Sequence, residues 1–313
     1  MLDDVLPLLP EPLCTALRHL PSARLDDLEE IRLRTNQSPE LIVAGKKWAE
    51  PKLDALRFTA QQAHRFLQKI SHYSLYALEE ELRRGYVTVR GGHRIGLAGR
   101  VITEKGRVLR LRDVTFFNIR LAREKIGVAL PLVPLLHPRG DWLSTLLIGP
   151  PMTGKTTLLR DLARLVSEGV AGPAIAGRKT GIVDERSEIA GCVAGMPQHR
   201  IGPRTDVLDA CPKAEGMMMM IRSMSPEVLV VDEIGRREDT EALLEATNAG
   251  VVVMATVHGR SLEELRRRPT IRPLLNAGIF TRYVSLSCAE GRRRQSVFDQ
   301  NGTLLQTMEA NVK

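Results

Sequence analysis

Apolar residues in the second half of the chain occur in short continuous runs, and stretches with apolar residues at helical spacing separate these runs. The predicted strands are 143–148, 180–183, 228–231 and 251–255, and the predicted helices are 155–166, 214–224 and 239–248. Because each predicted strand is apolar on both sides, we expect a mainly parallel sheet with helices over both faces. Two more strand patterns, at 282–288 and 295–299, predict a terminal hairpin that turns at 292–294.

The first 135 residues lack this alternation, and their pattern predicts a smaller α+β domain. Short strands at 28–34 and 39–44 flank a polar turn, and Thr59 is placed to cap a helix. A cluster of prolines near residue 135 then interrupts the chain. We therefore predict an N-terminal α+β domain over residues 1–135 and an α/β domain with a mainly parallel sheet over residues 136–313.

Composition limits the class of protein. The 313 residues include 43% hydrophobic and 26% charged residues, which is typical of a soluble globular protein. The four cysteines are far apart and form no CxxC pair, which argues against a disulfide framework or a zinc site. No apolar run approaches the roughly 18 residues of a membrane-spanning helix, and the acidic N-terminus differs from a signal peptide. We therefore expect a cytoplasmic protein.

The positive charge of the chain is concentrated in one stretch. Between Glu81 and Lys125, twelve Lys/Arg residues stand against four acidic residues, an excess as large as the net charge of +8 on the whole chain. Such a stretch is typical of a nucleic-acid surface, of an interface that receives phosphates or acidic neighbours, or of a solvated basic face. Composition leaves these three interpretations open.

The segment from Gly149 to Thr156 matches the phosphate-binding pattern GxxxxGK[ST], between a predicted strand and a predicted helix. In such loops the main-chain N–H groups and the N-terminus of the helix point at phosphate oxygens, which predicts an ATP site. We expect Lys155 to bridge the β- and γ-phosphates and the Thr156 hydroxyl to bind Mg²⁺. The predicted nucleotide-binding residues are Gly149, Pro150, Pro151, Met152, Thr153, Gly154, Lys155, Thr156 and Thr157.

Three other predicted strands end in polar residues, which should meet at the carboxyl edge of the sheet. Asp232 and Glu233 follow the predicted strand 228–231. We expect Asp232 to orient Mg²⁺ and Glu233 to polarise the attacking water. Asp184 and Glu185 follow an earlier strand and are predicted to face the nucleotide, the alternative being carboxylates of a surface loop. His258, with Thr256, follows the last of these strands and is placed to sense the γ-phosphate.

These motifs together resemble those of the secretion ATPases, which power type II and type IV secretion and pilus machines. Residues 184–188 resemble the Asp box of that family, 222–233 its Walker B region and 254–258 its His box. The resemblance implies a RecA-like P-loop ATPase domain and catalytic roles for Lys155, Asp184, Glu185, Glu233 and His258. This chain has Asp232-Glu233 where the family usually has Gly-Glu, so the division of roles between the two carboxylates stays open.

Longer stretches at 85–99, 201–219 and 222–226 are similar to the stage III sporulation protein AA family of endospore-forming bacteria, and this resemblance covers nearly the whole chain. It implies an ATPase on the mother-cell side of a channel between mother cell and forespore. It also implies a hexameric ring that docks on small membrane proteins. In secretion ATPases the N-terminal domain supplies arginines to the nucleotide of the neighbouring subunit, which makes Arg94, Arg120 and Arg123 candidates for that role.

The main alternative is a nucleic-acid-binding protein that uses ATP as a switch, because the basic stretch permits it. Aromatic residues are only 4% of the chain, so a stacking surface for single strands is poorly supplied, and no helix-turn-helix or zinc-finger pattern is present. An inactive P-loop scaffold is disfavoured because Lys155 and Glu233 are both present. We therefore predict an ATP-hydrolysing motor or assembly enzyme without a nucleic-acid partner.

Overall fold

The computed structural model describes residues 2–43, 45–71, 79–172, 174–289 and 292–311. The chain divides between Arg123 and Glu124 into two compact units, whereas the sequence placed the domain boundary near residue 135. The difference has a physical reason. Ala129 and Leu136 are buried in a hydrophobic core of the second unit, and the Ala129 N–H donates to the Asp161 carboxylate at 2.8 Å. The proline-containing segment therefore begins the second unit.

The first unit contains a six-stranded antiparallel sheet in the order β3-β2-β1-β6-β5-β4. Among its described residues, the strands are β1 (Leu28–Arg34), β2 (Glu40–Val43), β3 (Lys46–Trp48), β4 (Tyr86–Val89), β5 (His93–Glu104) and β6 (Arg107–Arg120). The helices are α1 (Glu11–Arg18), α2 (Ser22–Leu25), α3 (Pro51–Asp54), α4 (Ala60–Ile70) and α5 (Glu79–Arg84).

Alternation along the strands gives this sheet one buried face. Ile31, Ile119 and Ile95 lie opposite one another on three neighbouring strands, and all three are fully buried. Phe66 of α4 packs edge-to-face against Phe117 of the same face, with 4.9 Å between ring centroids. Helix α4 begins with a capping box at Thr59, which confirms the helix start expected there.

The second unit is built on an eight-stranded sheet in the order β11-β10-β12-β13-β7-β14-β15-β16. Its strands are β7 (Thr145–Gly149), β10 (Thr180–Asp184), β11 (Thr205–Asp209), β12 (Val228–Val231), β13 (Val252–His258), β14 (Arg282–Ala289), β15 (Arg292–Asp299) and β16 (Leu304–Asn311), and β8 (Gly169–Val170) pairs separately with β9 (Ile175–Ala176). The helices are α6 (Val133–Leu136), α7 (Lys155–Glu168), α8 (Lys213–Met224), α9 (Arg237–Asn248), α10 (Leu262–Arg266) and α11 (Arg272–Asn276).

All neighbours from β11 to β14 are parallel, and only β15 and β16 are antiparallel. Strands β7, β10 and β12 are buried along their whole length. Successive residues of β12 belong to different cores: Val228 shares one with Leu158 of α7, and Leu229 shares the other with Met217 of α8. Helices therefore cover both faces, and the mainly parallel α/β unit predicted from the sequence is confirmed.

The terminal hairpin is present, but the turn predicted at 292–294 is wrong. These three arginines belong to β15, where Arg293 lies opposite Cys288 and Arg294 opposite Ser287. The strand extends beyond its apolar pattern because the arginines are paired on both sides; the Arg294 guanidinium, for example, binds Glu309 of β16 at 2.7 Å. Within the described part of the chain, no helix is long and apolar enough to span a membrane.

Candidate functional site

The predicted phosphate loop leads from the end of β7 to the first residue of α7. Gly154 has a φ of 92°, and Met152 has a φ of 64° with a side chain that is 97% exposed. A Cβ at Gly149 would lie 2.7 Å from the Thr153 hydroxyl oxygen and 3.0 Å from the Leu286 carbonyl oxygen, so only glycine fits where the loop leaves the strand. The backbone thus makes the tight turn that a phosphate loop requires.

Lys155 lies inside this loop and is 5% exposed. Its ammonium donates to the Pro150 carbonyl oxygen at 2.9 Å and lies 3.2 Å from Nδ1 of His258. Burial lowers the pKa of Lys155, and the Asp232 and Glu233 carboxylates act in the opposite direction. Because the two acceptors of the ammonium are neutral groups, a phosphate anion would be a stronger partner for it.

Thr156 and Asp232 are brought together by α7 and the end of β12. The Thr156 hydroxyl donates to Oδ2 of Asp232 at 2.7 Å, and the Thr256 hydroxyl of β13 donates to Oδ1. A hydroxyl oxygen and a carboxylate beside a phosphate loop are the hard oxygen ligands that Mg²⁺ prefers. The two residues that the sequence assigned to the metal therefore fit a Mg²⁺ site.

Glu233 follows Asp232 and is held from four directions. Its φ of 52° is in the left-handed region, its N–H donates to the Thr256 hydroxyl at 2.7 Å, and its carbonyl oxygen accepts from the Lys213 ammonium at 2.7 Å. Its carboxylate lies 2.8 Å from Nε2 of His258 and accepts from Arg186 at 3.1 Å. Both the main chain and the side chain of Glu233 are thus fixed at the edge of the sheet.

The hydrogen bonds around His258 connect the phosphate loop with Glu233. An ammonium can only donate, so Nδ1 of His258 accepts from Lys155, and Nε2 carries the hydrogen that is donated to Glu233. This assigns a neutral tautomer to His258. Lys155, His258 and Glu233 therefore form a continuous hydrogen-bonded series from the start of α7 to the ends of β13 and β12.

The two acidic residues after the β10 apolar run have different surroundings. Asp184 is 1% exposed, and its carboxylate accepts the N–H groups of residues 188–190 at 2.8–2.9 Å. Burial raises the pKa of Asp184 to about 6, although these N–H groups oppose the shift. Both residues line a cleft together with Asp232 and Glu233, and the Glu185 carboxylate lies 3.3 Å from the Lys213 ammonium. Asp184 thus caps its own loop, and a catalytic role for either residue stays a prediction.

The three arginines proposed for the neighbouring subunit all lie in the first unit. Arg94 and Arg120 are opposite each other on β5 and β6. The Arg94 guanidinium stacks 3.6 Å from the Tyr86 ring centroid, and the Arg120 side chain is 64% exposed with a contact of 3.5 Å to Glu30. Arg123 is less exposed and donates to a main-chain carbonyl of β1 at 3.0 Å. Arg120 is the most exposed of the three, Arg94 and Arg123 are partly buried, and the role of all three stays a prediction.

Sequence reasoning missed two basic residues near the site. Lys213, the first residue of α8, is 8% exposed and contacts both Glu233 and Glu185. Arg293 of β15 lies against the phosphate loop, because a Cβ at Gly154 would be 3.5 Å from its Nη1 atom. Neither residue belongs to a recognisable motif; the only signal for Lys213 was its place in the 201–219 stretch.

Solved structures with a similar fold include two ATPases. The X-ray structure of the Legionella pneumophila ATPase DotB has a TM-score of 0.59 at 14% identity and covers 93% of this chain and 82% of that chain. The pilus retraction motor PilT with bound ADP has a TM-score of 0.60 at 17% identity and covers 91% of this chain and 81% of that chain. They confirm the predicted fold class, a RecA-like P-loop NTPase domain preceded by a smaller α+β domain.

Sequence comparison gives a closer relationship. The family model for sporulation stage III, protein AA, matches residues 6–305. Stage III sporulation protein AA from Bacillus subtilis (strain 168) is 55% identical over 305 residues, which cover 97% of each chain. The resemblance inferred from the sequence motifs is confirmed: the chain belongs to the stage III sporulation protein AA family.

Proposed function

We propose that this protein hydrolyses ATP with Mg²⁺ and works as an oligomeric motor or assembly ATPase of the secretion-ATPase type. The observation that carries the proposal is the convergence of a buried lysine, a hydroxyl–carboxylate pair and a fixed glutamate at one edge of the sheet. These residues are Lys155, Thr156, Asp232 and Glu233. Each has the chemistry that phosphoryl transfer to water requires.

In this proposal the residues have separate tasks. The main-chain N–H groups of the phosphate loop and the Lys155 ammonium bind the phosphate oxygens, and Glu233 accepts a proton from the attacking water. Thr156 and Asp232 would hold Mg²⁺, which supplies positive charge to the phosphates when bound. Asp232 fits the metal role, because its Oδ2 accepts from the hydroxyl of Thr156, the other expected Mg²⁺ ligand. Glu233 is then the base.

We also propose that the active form is a ring, expected to be a hexamer, in which arginines of one subunit complete the site of the next. The candidates are Arg94, Arg120 and Arg123, and the exposed position of Arg120, opposite Arg94 on the neighbouring strand, favours these two. A guanidinium near the transferred phosphate stabilises the charge of the transition state, and such arginines are worth about 10³ or more in rate.

The cellular part of the proposal rests on the family. Its curated member is a stage III sporulation protein. We propose that the ATPase works on the mother-cell cytoplasmic side of a channel between mother cell and forespore. There it would dock on small membrane proteins of the same channel.

The test is ATP hydrolysis by the purified full chain, measured over a range of protein concentrations together with the mass from light scattering. We expect specific activity to rise as rings form and to be abolished in Lys155→Ala. Glu233→Gln should still bind ATP but lose about 10²-fold or more in kcat. Turnover by a monomer at constant specific activity would contradict the shared site. Salt-sensitive DNA binding that stimulates hydrolysis would favour the nucleic-acid alternative.

A further inference from the structure

The hairpin of β14 and β15 extends past the end of β7 along the phosphate loop. In the parallel pair, Ser285 of β14 lies opposite Ile148 of β7, and β7 ends one residue later while β14 continues to Ala289. Leu286 already contacts the loop, since a Cβ at Gly149 would lie 3.0 Å from its carbonyl oxygen. The far part of the hairpin is therefore beside the loop that we expect to bind phosphates.

Arg293 is the basic residue that this hairpin directs at the loop. A Cβ at Gly154 would lie 3.5 Å from Nη1 and 3.7 Å from Cζ of Arg293, so the guanidinium packs directly over that glycine. Gly154 is the residue immediately before Lys155 and α7, where N–H groups of a phosphate loop converge on the anion.

The surroundings of Arg293 differ from those of the next residue in the strand. Among the residues that the structure describes, no carboxylate lies within 4 Å of the Arg293 guanidinium, which is only partly exposed. The Arg294 guanidinium, in contrast, donates twice to Glu309 at 2.7 and 2.9 Å. A partly buried guanidinium beside an anion-binding loop, with no carboxylate partner in the described chain, is suited to bind a phosphate.

The order of the strands indicates which part of the phosphate chain Arg293 reaches. Asp232, Glu233 and His258 follow or end β12 and β13, which lie on one side of β7. Arg293 comes from β15, on the other side of β7. The groups that act on the terminal phosphate and the guanidinium of Arg293 therefore flank the loop from opposite sides.

We propose that Arg293 is a nucleotide-binding residue that donates, within its own subunit, to the phosphates that ATP and ADP have in common. This inference rests on the proposed nucleotide site and adds to it a contact that no motif marks. A contact shared by substrate and product stabilises the ground state and the transition state equally. It therefore lowers Kd and KM without changing kcat.

The experiment compares Arg293→Ala with Arg294→Ala in the full chain. Affinity is measured by displacement of a fluorescent ADP analogue with ATP and with ADP, and steady-state hydrolysis gives kcat and KM. We expect Arg293→Ala to weaken the binding of both ATP and ADP by about tenfold or more, with KM raised and kcat close to wild type. Arg294→Ala, one residue away but paired with Glu309, should keep the wild-type affinity.

Three results would overturn the proposal. If Arg293→Ala binds both nucleotides as wild type does, the guanidinium does not touch the phosphates. If the variant loses affinity for ATP but not for ADP, and its kcat falls, Arg293 acts on the terminal phosphate instead. Arg293→Lys keeps a positive charge and should retain part of the affinity; equal losses in both variants with a lowered melting temperature would indicate a folding role only.

The outcome also separates this inference from the proposed function. Lys155→Ala is measured in the same displacement assay. If it loses nucleotide affinity while Arg293→Ala does not, the phosphate loop is functional and only the role of Arg293 is refuted. If wild type itself binds neither nucleotide, the proposed function fails.

Discussion

Lys213 offers a sharp test of how Glu233 is positioned. Its buried ammonium donates to the Glu233 carbonyl oxygen at 2.7 Å and lies 3.3 Å from the Glu185 carboxylate. Glu233 has a φ of 52°, a conformation that costs roughly 1–2 kcal/mol for a residue with a Cβ. A hydrogen bond to a charged group contributes about 1.5–3 kcal/mol. The contact from Lys213 is therefore of the size needed to hold the strained main chain in place.

Lys213→Met keeps the apolar stem and removes the ammonium. We expect Glu233 to relax, and since a displacement of 1 Å costs up to about 10²-fold in rate, kcat should fall by roughly 10- to 100-fold. KM for ATP should stay close to wild type, because within the described part of the chain Lys213 makes no hydrogen bond to a residue of the phosphate loop.

The assay is steady-state ATP hydrolysis, with melting temperatures measured in parallel. Lys179→Met is the matched control, because Lys179 is exposed and lies just before β10. The reasoning is refuted if Lys213→Met lowers the melting temperature but hydrolyses ATP at the wild-type kcat. A rise in KM without a change in kcat would also refute it, since the effect would then be on binding.

Three further predictions concern residues of the same edge. Thr156→Val removes a proposed Mg²⁺ ligand and should raise the Mg²⁺ concentration for half-maximal hydrolysis by about tenfold or more; an unchanged Mg²⁺ titration would contradict the metal role. His258→Ala should lower kcat by about 10²-fold while a fluorescent ADP analogue binds as in wild type; a loss confined to binding would assign His258 to the phosphate loop alone. Burial raises the pKa of Asp184 to about 6, so its protonated form is favoured in the folded state. Its stabilising contribution is present below pH 4 and lost as the pH rises through about 6, by about 3 kcal/mol in total. Urea unfolding of wild type and Asp184→Asn should therefore show a stability difference that changes between pH 4 and pH 7, and a constant difference would contradict the shift.

Much of the second unit could be predicted because its strands are buried on both faces. A run such as Val228–Val231 has to be apolar throughout, so the length of the strand can be predicted from the length of the apolar run. The charged part of β15 carries no such apolar signal, and its three arginines were therefore predicted to form the turn of the hairpin. These arginines are held in the sheet by main-chain hydrogen bonds to β14 and β16 and by side-chain contacts such as that of Arg294 with Glu309.

The site shows the same limit at the level of single residues. Lys155, Asp232 and Glu233 could be predicted because each follows a strand in a local motif. The contact of Lys213 with Glu233 joins residues 20 positions apart on different elements, and that of Arg293 with Gly154 joins opposite ends of the second unit. Asp184 was found by its motif, but the three N–H groups that occupy it depend on how its loop folds back. Local patterns predict which residues reach the edge of the sheet, and tertiary contacts decide what each one does there.

The series from Lys155 through His258 to Glu233 connects ATP binding with the activation of water. Lys155 has three N–H donors, and two of them are directed at Pro150 and His258. A bridge between the β- and γ-phosphates needs two donors, so Lys155 has to give up at least one of these contacts when it binds ATP. If the contact with His258 is the one released, the imidazole can turn from Glu233 and donate to the γ-phosphate instead, and the oxygen that faces His258 becomes available to the attacking water. ADP has no γ-phosphate to draw Lys155 away from His258. We therefore expect Glu233 to be released by ATP but not by ADP, so that one histidine makes the catalytic base respond to the state of the nucleotide.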